Sequence, residues 1–135
     1  MAREYTRKAV KAGVDLGWEG DEILTIPAAR ILLREALGNL IDNALRYAGS
    51  GTSVTVTSRK VGSWCVLGVE DNGPGLRDDQ LAHVFERFWR ASELPGGCGL
   101  GLAIVAEIAQ RHRGEASVQA LQPRGLRVEL RLPLD

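Results

Sequence analysis

Apolar residues recur at helical spacing at Leu33, Ala36, Leu37, Leu40, Ile41, Ala44 and Leu45. The segment ending at Tyr47 is therefore predicted to be a long helix with one broad face on a core. Pro27 precedes it and Gly49-Ser50-Gly51 stops it. Elsewhere the period is two. Residues 14–18 and 23–26 alternate well enough for two short strands around Glu19-Gly20-Asp21-Glu22. Residues 53–58 alternate strongly, and 63–70 are predicted to pair with them across a Lys60-Val61-Gly62 turn. Asp78-Asp79-Gln80 opens a short helix through His83, and residues 100–113 form a helix that Gly114 ends. Residues 115–121 and 126–132 read as a last strand pair around Pro123-Arg124-Gly125. The stretch 87–99 is a long irregular loop, a length that usually serves function. Strands, helix, two strands, helix, two strands: this order predicts a mixed sheet with helices on one face, a two-layer α/β sandwich.

Two residues do not suit this pattern. Asn39 and Asn43 lie one turn apart at the margin of the apolar arc. Asn is poor inside a helix because its short amide competes with the backbone for hydrogen bonds, at about 0.5 kcal/mol each relative to Ala. Two such amides stacked beside a core need a polar partner, and a phosphate–metal unit supplies one. Their oxygens can ligate Mg²⁺, which takes hard oxygen donors while keeping waters and substrate phosphates. The plain alternative is a pair of edge amides.

Composition narrows the setting. At 135 residues the chain is long enough for one domain with a single core. Lys plus Arg equals Asp plus Glu at 17 each, so no global field points to nucleic acid or an anionic membrane. No apolar run approaches a membrane span and no signal-peptide pattern opens the chain. Cys65 and Cys98 fit neither a metal pattern nor a redox pair, and the two histidines are too isolated for a zinc site. Residues 1–13, short and basic, read as a linker or helix remnant, leaving 14–135 as the domain.

Two further motifs sharpen the reading. A β-rich run ends at Asp71 and is followed at once by Asn72-Gly73-Pro74-Gly75. Alone, Asp71 is a turn residue capping its own loop. The glycines Gly97, Gly99 and Gly101 open the later helix, where amide protons unobstructed by Cβ can cradle phosphate. No Gly-Lys-Ser/Thr follows, so this is not a P-loop, and the third glycine comes too early for a dinucleotide fingerprint.

In this order, with Phe85 and Phe88 between them, the motifs resemble the ATP-binding catalytic domain of bacterial sensor histidine kinases. That family shares a superfamily with gyrase, heat-shock chaperone and mismatch-repair ATPases. Its N, G1, F and G2 boxes fall here at 39–47, 71–75, 85–88 and 97–102, and the likeness runs from about Val14 to Leu134. The resemblance implies an α+β fold with a mixed, mostly antiparallel sheet, the Bergerat ATP-binding fold. It implies ATP and Mg²⁺ as ligands, with Asp71 on the adenine amine, Gly75 letting backbone approach the ring, Gly73 in the same ATP-binding box, and Asn43 on the metal. Asn39 approaches the metal–phosphate region, and Gly97, Gly99, Leu100, Gly101 and Leu102 form the phosphate loop under a lid spanning 76–98. Arg46 suits a phosphate contact or a solvated surface, and Tyr47 a ring beside adenine or a core edge. Arg87 or Arg90 could reach the transferring phosphoryl group, which makes Arg87 a candidate catalytic residue with Asn39 and Asn43; a solvated lid arginine is the alternative. Cys98 stands where the family often has Ser or Thr.

Where the hydrolytic relatives place a general-base Glu, this chain has Asn39, and an amide cannot take a proton from water at neutral pH. Transfer to another nucleophile suits it better. The family's phosphoacceptor histidine lies in a separate helical hairpin, followed by an acid and soon a proline; neither His83 nor His112 has that context. The implied partners are thus a histidine-bearing dimerisation domain of a parent kinase and, indirectly, a response regulator. The implied setting is a monomeric cytoplasmic domain of a parent anchored in the bacterial inner membrane. Two rivals use the same residues: an anti-sigma-type Ser/Thr protein kinase, and a nucleotide-sensing module that transfers nothing.

Overall fold

A computed structural model describes residues 2–20, 30–86 and 101–133. Its elements run α1 (Ala2–Ala12), β1 (Asp15–Gly20), α2 (Arg30–Ala48), β2 (Ser53–Val61), β3 (Trp64–Asp71), α3 (Asp78–Leu81), α4 (Gly101–Arg111), β4 (Glu115–Ala120) and β5 (Leu126–Pro133). Among the described residues the five strands form one sheet in the order β1-β2-β3-β5-β4. Only β1 and β2 run parallel; the other three pairs are antiparallel. The fold is α+β, the mixed and mostly antiparallel sandwich that the chain's pattern and motifs imply.

Alternation along the strands divides the sheet into two faces. In β5, Leu126, Val128, Leu130 and Leu132 are buried while Arg127, Glu129 and Arg131 point the other way. Val54, Val56, Cys65, Leu67 and Val69 extend the buried face across β2 and β3. Leu37, Leu40 and Ile41 of α2 and Val105, Ile108 and Ala109 of α4 pack onto it. Each such aliphatic side chain contributes about 1.5–3 kcal/mol on burial, which overcomes the weak helix propensity of the two asparagines on α2. The opposite face is laced by ion pairs: Arg127–Glu70 at 2.7 Å, Arg59–Glu129 at 3.2 Å and Arg131–Glu115 at 3.5 Å. Those charges keep the helices to one side.

Several boundaries differ from the pattern. β2 continues past Ser58 to Val61 because Arg59, Lys60 and Val61 stay in register with Val66, Cys65 and Trp64. β1 finds its partner in β2; the strand expected at 23–26 lies outside the described residues. The helix after Asp78 is a single turn, its start held where the Gln80 side chain accepts from the Arg77 N–H at 2.9 Å. α1 is helical and seated on α2, with Tyr5 and Ala9 buried and Lys8 paired to Asp42 at 3.2 Å. No described helix is long and apolar enough to cross a membrane.

Candidate functional site

The site is built along α2. Asn39 and Asn43 are both half-buried and one turn apart on α2, which packs against α4. Asn39 Nδ2 is buried and has no hydrogen-bond partner, alone in that respect among the described side-chain nitrogens and oxygens. A buried donor left unpaired costs about 1–3 kcal/mol, so a native helix rarely keeps one without use for it. Gly101, the first residue of α4, faces the same amide: a Cβ there would sit 3.9 Å from Asn39 Oδ1. The start of the glycine-rich helix and the asparagine helix thus meet at one point, where an amide donor still lacks an acceptor.

Asp71 stands at the other end. It closes β3, is half-buried, and its Oδ1 accepts from the Gly73 N–H at 2.8 Å. Burial raises its carboxyl above the ordinary aspartate range, and the Gly73 N–H pulls it partly back. Gly73 is where it is because nothing larger fits: a Cβ would lie 2.7 Å from both Cα and the carbonyl oxygen of Ala48. The loop after Asp71 is therefore pressed onto the last turn of α2, one residue beyond Tyr47. Tyr47 is half-buried and Arg46 exposed on the same stretch of helix.

The structure thus brings together Asn39 and Gly101 midway along α2 and Asp71 and Gly73 at its last turn, beside Ala48 and Tyr47, with Asn43 one turn on from Asn39. α2 rises about 1.5 Å per residue, so Asn39 and Ala48 are on the order of 14 Å apart along the helix. Gly75 takes a left-handed φ of 73° in the same loop. Leu102 is a core residue by its side chain, 8% exposed. Arg87, Gly97, Gly99 and Leu100, with Phe88, Trp89, Arg90 and Cys98, lie outside the described residues. Phe85 packs against the core beside buried Val84. His83 pairs with Glu86 at the surface, and His112 Nδ1 bonds the Ile108 carbonyl at 2.9 Å at the end of α4. No group of three or more His, Cys, Asp and Glu among the described residues could hold a metal; the asparagine amide oxygens are hard donors of the kind Mg²⁺ takes alongside waters and phosphates.

Two residues that the sequence marks only as parts of turns touch the Asp71 segment. Asn72 bonds Ser53, and Gly125 of the β4–β5 turn lies against the Asp71 carbonyl. An Asn directly after the acid in a Gly-Pro-Gly turn was the available signal for the first. The second is non-local and leaves no trace in the pattern.

Residues 28–135 match the family described as histidine kinase-, DNA gyrase B-, and HSP90-like ATPase. The alginate biosynthesis sensor protein KinB of Pseudomonas aeruginosa is 34% identical over 85% of this chain and 19% of its own length. Sensor histidine kinase RppB of Synechocystis sp. is 33% identical over 99% of this chain and 31% of its own. The chain spans between about a fifth and a third of the length of these relatives. Among solved structures, full-length ShkA in complex with AMPPNP superposes with a TM-score of 0.85 at 28% identity, over 98% of this chain and 28% of that one. The fold, the ordered motifs and these matches agree: the chain belongs to the histidine kinase-, DNA gyrase B- and HSP90-like ATPase family.

Proposed function

We propose that this chain is the Mg-ATP-binding catalytic domain of a sensor histidine kinase, which presents the γ-phosphoryl group to a histidine on a separate dimerisation domain. The observation that carries the reading is the orphaned Nδ2 of Asn39, a residue that lies against the start of α4, together with the half-buried Asp71 beyond the last turn of the same helix. An acceptor-rich group belongs at one end and a hydrogen-bond donor at the other, at a separation that suits an extended nucleoside triphosphate. The AMPPNP bound in ShkA has that chemistry and supports the same assignment here.

In this reading Asp71 accepts from the adenine amine and Gly73 and Gly75 bring backbone to the ring. Tyr47 lies beside the base, and Arg46 approaches the phosphates. Asn39 donates to a phosphate oxygen, the glycines up to Gly101 cradle the chain with their N–H groups, and Leu102 anchors that loop to the core. Asn43 Oδ1 is the protein's ligand to Mg²⁺. When bound, that ion neutralises charge on the phosphates. The residues' contribution is positioning and charge compensation. The acceptor imidazole nitrogen forms the new N–P bond as the bond from γ-phosphorus to the β–γ bridging oxygen breaks and ADP leaves. Asn39 offers water no base, so hydrolysis is not favoured over transfer. Arg87 is the candidate to stabilise the transferring group. Residues 14–135 are the catalytic domain, reached through the helix in 1–13; the domain is a monomer on the cytoplasmic side of a parent in the inner membrane, which passes phosphate to a response regulator.

The test is to incubate the chain with labelled ATP and a cognate helical-hairpin domain. Acid-labile, base-stable label on the hairpin is expected. Acid-stable label on a small protein would make it a Ser/Thr kinase, and nucleotide binding without label on either would make it a sensing module.

A further inference from the structure

The β2–β3 ladder ends at the pair Val54–Asp71, and the next pair in register is Ser53 with Asn72. An antiparallel pair at that position exchanges two N–H···O bonds between backbones. Here one is ordinary: the Asn72 N–H donates to the Ser53 carbonyl at 3.2 Å. The other is not, because the Ser53 N–H donates to the side-chain oxygen Asn72 Oδ1 at 2.8 Å. The carboxamide has replaced the residue's own carbonyl. That lets the backbone turn away at Asn72, toward Gly73 and the end of α2, without leaving the Ser53 N–H unpaired.

The other flank is held sterically. Gly125 (φ 114°) enters the β4–β5 turn so close to this segment that an added Cβ would collide with the Asp71 carbonyl oxygen and lie 3.2 Å from Asn72 Cα. A Cβ at Gly75 would in turn be 3.0 Å from the Gly125 carbonyl oxygen, so the 71–75 loop folds around Gly125. Asp71 is thereby fixed between β2 and the β4–β5 turn. Loop rotation about that point is what would swing its carboxylate.

We propose that Asn72 is the positioning residue of the base-recognition end: its side-chain oxygen, bonded to Ser53, and the Gly125 backbone form a two-sided clamp that sets where the Asp71 carboxylate meets the base. The inference rests on Asp71 reading adenine. Asn72 itself touches no substrate in this scheme.

The experiment uses adenosine, which isolates the base end, inorganic tripolyphosphate, which isolates the other end, and the ATP-over-GTP preference. All are titrated into wild type, Asn72→Ala and Asn72→Asp, with melting curves of each. Asn72→Ala is expected to weaken adenosine about three- to tenfold, the size of one lost hydrogen bond. It should narrow the ATP-over-GTP preference and leave tripolyphosphate unchanged, a split that general loosening of the fold does not give. Asn72→Asp keeps the acceptor oxygen and should bind adenosine within about twofold of wild type, since no hydrogen bond is lost. Wild-type adenosine affinity in Asn72→Ala, equal losses at both ends, or an Asp variant as weak as the Ala variant would each overturn the clamp. A wild type that shows no preference for ATP over GTP would instead remove the adenine reading beneath it.

Discussion

Gly101 at the start of α4 faces the side chain of Asn39 on α2, with its Cβ direction ending 3.9 Å from Asn39 Oδ1. This contact joins the asparagine helix to the glycine-rich helix start and leaves a buried amide donor unused. The arrangement stores an unmet hydrogen bond where a phosphate is expected. Binding and stability are therefore opposed at this position.

Asn39→Leu exposes that opposition. Leucine is similar in volume and carries no donor, so the unliganded chain should gain about 1–3 kcal/mol of stability. The stabilisation that Mg-ATP gives the wild type should shrink or vanish. Thermal melting with and without Mg-ATP reads both effects. A variant less stable than wild type without nucleotide would mean that Asn39 is a satisfied structural amide.

Asp71→Asn should separate binding from stability in a pH-dependent way. Burial raises the Asp71 carboxyl, so the folded chain holds that proton more tightly than the unfolded chain does. Its contribution is then most favourable below the ordinary aspartate range and is lost as pH rises through the raised value. At neutral pH the ionised carboxylate is a net cost, although the Gly73 N–H offsets part of it. The neutral variant should melt higher than wild type near pH 7, and the gain should fade toward about pH 3. Its adenine affinity should fall about ten- to a hundredfold, from loss of a charge-assisted bond of about 1.5–3 kcal/mol. Melting across pH and a titration with adenosine check the pair; normal binding by the variant would remove Asp71 from the base site.

Two glycines of the site should respond differently to alanine. At Gly73 the new Cβ meets the Ala48 backbone at 2.7 Å, and backbone cannot step aside. Gly73→Ala should cost about 1–3 kcal/mol, as overpacking does. At Gly101 the nearest atom among the described residues is at ordinary contact distance, so Gly101→Ala should fold as well as wild type. Chemical denaturation of both variants decides it. Equal destabilisation would mean that the α2–α4 junction is tighter than the contact to Asn39 indicates.

The sequence made the sheet legible where local pattern and tertiary burial agree. In β5, alternation from Leu126 to Leu132 is the burial pattern itself. The asparagines were legible for the opposite reason, because they break the pattern of α2. What joins the ends of the site was not, since Gly101 against Asn39 and Gly73 against Ala48 are contacts between distant segments that no local periodicity encodes. The same holds for Gly38. A glycine in the middle of α2 has no local reason, and the structure places the Tyr5 hydroxyl of α1 where its Cβ would be.

The isolated chain is expected not to label itself. His83 is engaged by Glu86 and His112 by the Ile108 carbonyl, and neither is followed by an acid and soon a proline. Incubation with labelled ATP alone should leave the chain unlabelled, with slow phosphate release. Rapid acid-labile labelling lost in His83→Ala or His112→Ala would place the acceptor in this chain, and fast phosphate release would move it toward the hydrolytic members of its family.

Calorimetric titration of ATP and GTP, with and without Mg²⁺, into wild type and Asn43→Ala is the most direct test of one site spanning α2. ATP should bind wild type, GTP markedly less well, and Mg²⁺ should strengthen ATP. Asn43→Ala should lose the Mg²⁺-dependent gain while binding adenosine as wild type does. Equal affinity for ATP and GTP, or an Asn43→Ala variant that keeps the full Mg²⁺ effect, would contradict the assignment of a base end at Asp71 and a metal–phosphate end at Asn39 and Asn43.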